Sequence, residues 1–130
     1  MLILTIRTDK PEAEIGLQTN ETKTAYVTWQ ADRELAETIH IKIRAMLGEQ
    51  GHNLHDLNGI VVFKGPGSFT GLRIGISVAN ALAYGLAIPI VGRVGKAWAD
   101  QGVRSLGKGE NETVVLPEYG APPNITLPKK

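Results

Sequence analysis

One run carries most of the chemical interest in this chain: Gly65-Pro66-Gly67-Ser68-Phe69-Thr70-Gly71-Leu72-Arg73-Ile74-Gly75. Two glycines around a proline allow a tight turn in which the backbone can approach another group closely. Ser68 and Thr70 would set hydroxyls beside the free N–H groups of a helix start, where an anion can sit. The spacing is neither G-x-x-x-x-G-K-[ST] nor G-x-G-x-x-G, and no lysine follows the last glycine, so the nucleotide-loop signal is weak. Gly71, Gly75, Ala79 and Ala83 then recur every fourth residue, laying a stripe of near-absent side chains along one helical face. Three readings stay open at this level: a packed strand-to-helix junction, a phosphate cradle, or a helix shown to a partner.

Other constellations offer less. The chain has no cysteine, which excludes a disulfide framework, a thiolate nucleophile and thiolate-ligated metal. His52-Asn53-Leu54-His55-Asp56 is an H-x-x-H run, but it lacks further ligands nearby and reads as a solvated loop. Glu12 and Glu14 share a strand face between turns and read as solvated surface. Ser68 and Ser77 have no neighbouring His or Lys, and there is no G-x-S-x-G elbow. These residues suggest no catalytic group, metal site or cofactor site.

The elements that position them follow from patterning. Of the 130 residues, 42% are apolar and only 5% aromatic, and 14 basic residues stand against 13 acidic ones. That suits one domain with an ordinary core, and it is too balanced for gripping nucleic acid by charge alone. Residues 2–7, Glu12–Gln18 and Thr22–Trp29 read as three strands of an antiparallel meander, with Thr22, Thr24, Tyr26 and Thr28 on one face. From Asp32 to Leu47 the period becomes helical, with Leu35, Ile39, Ile43, Met46 and Leu47 on one side. Gly59–Lys64 suits a strand covered on both faces, Phe69–Leu86 a helix and Ile88–Gly92 a parallel strand, completing a βαβ unit. A short helix at Val94–Leu106 and a strand at Thr113–Leu116 are also expected. The fold class is therefore α/β with a mixed sheet, in one domain over residues 1–106 followed by a linker and extended tail over 107–130. No charge falls between Arg73 and Arg93, but Gly85 and Pro89 break that stretch and argue against a membrane span. Met1–Ile6 lacks the flanks of a signal peptide, so a soluble, cytoplasmic protein is expected.

The run at 65–75 resembles the signature of the TsaB family, also called YeaZ. Met1-Leu2-Ile3-Leu4 is similar to that family's opening strand, Leu54–Val62 to its approach to the signature, and Ala81–Gly92 to its exit. The resemblance covers roughly residues 1–100. It implies the ribonuclease-H-like half of the actin/Hsp70/sugar-kinase superfold. It also implies a non-catalytic subunit: TsaB-like proteins bind the related TsaD subunit and, with the ATPase TsaE, support transfer of threonylcarbamoyl to adenosine 37 of tRNAs reading codons that start with A. The chemistry, the ATP-derived intermediate and the metal belong to those partners. The contact with TsaD is a helical bundle whose members match residues 32–47 and 69–86 here.

Three departures accompany the resemblance. Arg7-Thr8-Asp9 stands where the family usually has Asp-Thr-Ser, which removes the acid that a nucleotide-bound metal would want. Ala31-Asp32-Arg33-Glu34-Leu35 replaces a common His-Ser-Glu-Arg-Leu. A second α/β domain has no counterpart, although Leu116–Lys130 is similar to the family's C-terminal tail, so a reduced form is expected.

On this reading the partner face draws on Leu35, Ile39, Ile43 and Met46 of the first helix. The loop Gly65, Pro66, Gly67, Ser68 and Phe69 adds to it, with Thr70, Gly71, Leu72, Arg73, Gly75, Ile76, Ala79 and Ala83 of the second helix. A TsaD-like subunit is the expected partner, with a TsaE-like ATPase beside it and tRNA met only through the complex. Alone, the chain is expected to form a homodimer through the same helices, and its tail 117–130 to dock on its own domain. The rival classes are a small nucleotide-binding or ATPase half-domain using Gly65–Gly71, and a self-associating structural module.

Overall fold

The computed structural model describes residues 1–19, 22–67 and 70–118. Three strands open the chain: β1 (Leu2–Arg7), β2 (Glu12–Thr19) and β3 (Thr22–Gln30). A single-turn 3-10 helix at Asp32–Glu34 leads into α1 (Leu35–Glu49), and another at Leu54–Asp56 precedes β4 (Gly59–Phe63). The remaining elements are α2 (Thr70–Leu86), β5 (Ile90–Arg93) and α3 (Trp98–Gly107). The sheet runs β3-β2-β1-β4-β5. β1 pairs antiparallel with β2 and parallel with β4, and β4 pairs parallel with β5. This is the mixed α/β sheet that the patterning implies, in the ribonuclease-H-like order.

Alternation along the strands decides which helix covers which face. Gly59, Val61 and Phe63 point toward α3: Leu106 lies over Gly59, Gly102 is pressed on Val61, and Phe63 meets Trp98 edge-on at 5.8 Å. Ile60 and Val62 point the other way, with Leu4, Ile6, Ile15 and Leu17, toward α1 and α2. All five residues of β4 are buried, as a strand covered on both faces requires. On β3 the threonines and Tyr26 are exposed while Ala25, Val27 and Trp29 are half-buried.

After α2, all three expected elements differ from expectation. The strand expected at Ile88–Gly92 begins at Ile90, because Ala87 and Ile88 close α2: Ile88 N–H donates to Ala83 O at 3.0 Å and Ala87 N–H to Tyr84 O at 3.2 Å. The helix expected at Val94–Leu106 begins at Trp98. The strand expected at Thr113–Leu116 does not form. Thr113 sits at φ 69°, outside the extended region, and its N–H goes to Asn111 Oδ1. No helix among the described residues is long and apolar enough to cross a membrane.

Candidate functional site

The glycine run is built against the chain itself. Thr8, just past β1, is 1% exposed and its hydroxyl donates to Gly71 O at 2.6 Å. The same hydroxyl and its methyl group occupy the space that a side chain at Gly75 would need. Gly71 and Gly75 are buried, and Ala79 and Ala83 continue the line at 0% and 3% exposure. The small-residue stripe thus lets α2 lie close on its own sheet, and its assignment to a partner's surface is corrected. Leu72 and Ile76 are buried beside it. Leu35, Ile39, Ile43 and Met46 are corrected in the same way: all four are buried beneath α1. A period of 3.6 marks the covered face of a helix, and here the cover is intramolecular.

The loop before α2 is also occupied from within. Gly65 is buried at φ 123°, and a side chain there would run into the carbonyl of Glu118. Gly67 N–H donates to Glu118 O at 3.1 Å. Of the remaining expected site residues, Pro66, Thr70 and Arg73 are exposed. Ser68 and Phe69 lie outside the described residues, as does the tail from Tyr119 onward.

What the two helices do expose is apolar on α2. Tyr84 is 90% exposed, and Ser77, Ala81 and Gly85 are open to solvent, flanked by half-buried Ile74, Val78 and Leu82. No charged side chain occurs on α2 after Arg73. On α1, which packs beside α2, Ile41 is 65% exposed and Ala45 is also outward. Gln30, Asp32, Arg33 and Glu34 stand exposed at the head of both helices, around a cleft that Pro11, Ala31, Thr70 and Ile74 also line. An apolar centre with a polar margin is the anatomy of a protein-docking surface. Sequence reasoning found both helices and selected their buried faces. The signal that could have found Tyr84 is its helical phase, about 100° from Ala83 and away from the Gly75–Ala79 line.

Elsewhere the candidate chemistry is internally satisfied. Arg7 grips Asp9 through two bonds of 2.8 and 3.2 Å and lies 3.9 Å over the Phe63 ring. The bond to Asp9 raises the Arg7 pKa against the opposing effect of burial. The one acid of the Arg7-Thr8-Asp9 turn is therefore neutralised by its neighbour. Glu14 accepts from Tyr26 OH at 2.6 Å instead of forming a carboxylate pair with Glu12. His52 lies 3.4 Å from Asp56, which caps the following turn by accepting from Asn53 N–H at 3.0 Å. That backbone bond, with His52 nearby, lowers the Asp56 pKa. Among the described residues no three His, Cys, Asp or Glu side chains come together as a metal site would need.

The chain is similar to several known proteins. The model of the family described as "TsaD: tRNA N6-adenosine threonylcarbamoyltransferase" matches residues 26–93. The tRNA threonylcarbamoyladenosine biosynthesis protein TsaB of Escherichia coli is 36% identical over 92 residues, covering 71% of this chain and 39% of that protein. The solved structure of YeaZ from Pseudomonas aeruginosa superposes with a TM-score of 0.67 at 28% identity, over 82% of this chain and 50% of that one. Thermus thermophilus RuvC shares the fold alone, with a TM-score of 0.52 at 11% identity over 72% of this chain and 64% of its own. This chain spans about two-fifths of the curated relative and half of the solved one.

Proposed function

Because the chain belongs to the TsaD family, and groups within it with the TsaB/YeaZ proteins, we propose that it is a non-catalytic subunit in threonylcarbamoyladenosine biosynthesis. Its role is to dock a TsaD-type transferase through the outer face of α1 and α2. The observation that carries this reading is the uncharged outer side of α2, with Tyr84 90% exposed at its C-terminal end. A lone exposed apolar residue is ordinary, whereas a contiguous apolar strip along a helix calls for cover. The residues that contact the partner are Ile41, Ile74, Val78, Ala81, Leu82 and Tyr84, with Arg73 and Thr70 at the margin. Transfer chemistry, ATP turnover and tRNA contact belong to the partners, a TsaE-type ATPase among them, in the cytoplasm. Residues 1–106 form the docking domain and 107–130 its C-terminal extension.

Without the partner, the same strip pairs two copies about a two-fold axis, since one self-complementary patch then serves both sides. Co-expression with the TsaD-type subunit of the same organism, followed by sizing with light scattering, tests the reading. It predicts one co-eluting complex, and a homodimer when this chain is purified alone. Two independently eluting proteins would overturn it.

A further inference from the structure

After α3 the chain turns back and runs along the free edge of β5. Ile90 N–H donates to Asn111 Oδ1 at 3.1 Å and Gly92 N–H to Glu112 Oε1 at 3.3 Å, while Glu112 N–H donates to Ile90 O at 2.8 Å. Two side chains and one amide thereby do for this edge what a neighbouring strand would do. Arg93 holds the segment from below, 2.9 Å from Glu110 and 2.6 Å from Glu112. Further along, Asn80 of α2 bonds Val115 in both directions. Its amide donates to Val115 O and its Oδ1 accepts from Val115 N–H, each at 2.9 Å. Val115 is 1% exposed and lies over Gly92, where a side chain would collide with it. Glu118 ends the path: its N–H donates to Lys64 O at 2.7 Å, and its carbonyl accepts from Gly67 N–H.

These anchor points lie on β5, on α2, and on the loop that launches α2. We infer that Glu110–Glu118 is a clasp that holds the Gly65–Gly67 loop and α2 in the position from which α2 presents its outer face. Asn80 and Arg93 are its positioning residues. This rests on the docking role of α2 proposed above. It also gives Gly65 a physical reason, since a side chain there would run into the carbonyl of Glu118.

The clasp carries one strained link. Thr113 adopts φ 69°, which a β-branched residue avoids. It is held there by its N–H bond to Asn111 Oδ1 at 2.9 Å and by Val114 N–H donating to Glu112 O at 2.7 Å. Relieving the strain should tighten the clasp, and removing an anchor should loosen it.

The test uses the full chain as wild type, Asn80→Leu, Arg93→Met, Arg93→Lys and Thr113→Gly. Ile15→Val, in β2 and remote from the clasp, serves as a destabilised control. Amide exchange of Gly67, Ile74 and Gly75 is read on the protein alone, and affinity for the TsaD-type subunit by titration. Asn80→Leu and Arg93→Met should speed exchange at these amides by about tenfold and weaken binding, as expected for the loss of two or more hydrogen bonds. Arg93→Lys should recover part of both losses, and Thr113→Gly should slow exchange and tighten binding. Ile15→Val should lower thermal stability without selecting these amides. Unchanged exchange in both loosened variants would overturn the clasp whatever the partner does. Selective exchange with unchanged affinity would overturn its coupling to docking. The expected exchange pattern with no binding even by wild type would support the clasp's hold on α2 and reject the docking role.

Discussion

Thr8 and Gly75 set how closely α2 lies on the sheet. The hydroxyl that reaches Gly71 O fills the space above Gly75, so even a methyl group there must displace β1's end. Gly75→Ala is expected to destabilise by about 1–3 kcal/mol, the usual cost of overpacking, despite the gain in helix propensity. Thr8→Ala in the same chain should recover part of that loss, a coupling that a double-mutant cycle in urea would measure. Gly75→Leu and Ala79→Trp, which a partner-facing stripe would accommodate, should leave the chain unfolded by circular dichroism. A second residue-scale expectation concerns Tyr26. Desolvation and the bond to Glu14 push its phenol up to about 12 from 10.0. The stability it contributes is therefore complete below 10.0 and fades as pH rises through 12. Alkaline absorbance titration of Glu14→Gln should show that phenol ionising earlier than in the wild type.

At the scale of elements, α2 stops where Ala87 turns left-handed at φ 57° and lets Ile88 reach back to Ala83. Glycine is the usual occupant of that position because it lacks the Cβ penalty. Ala87→Gly is expected to raise stability by about 0.5–1 kcal/mol in a denaturant melt, since Ala87 is exposed and its replacement removes only strain. The end of this helix at Leu86 was legible from Gly85 and Pro89, but its mechanism was not, because alanine gives no sign of a left-handed turn. The meander and the βαβ unit were legible because period-two and period-3.6 patterns come directly from which side chains are covered. Periodicity does not say what covers them. Leu35, Ile39, Ile43 and Met46 were correctly placed on one face of α1, yet that face meets the chain's own core. Thr113–Leu116 has strand-like residue types, but Asn111 pulls Thr113 into a turn whose hydrogen bonds leave no ladder.

At the scale of the molecule, one sheet carries α1 and α2 on one side and α3, against β4 and β5, on the other. The outer strip of α2 is uncharged from Ile74 to Leu86, unlike the mixed-charge surfaces around it. A cation placed in the middle of such a strip should oppose docking while leaving the fold alone, because Ala81 is already open to solvent. The most direct measurement is calorimetric titration of the TsaD-type subunit with wild type and with Ala81→Arg, alongside thermal melts of both. The account predicts an unchanged melting midpoint and binding weakened by at least about tenfold in the variant, the effect of a charge buried at an interface centre. Equal affinities for the two proteins would contradict it.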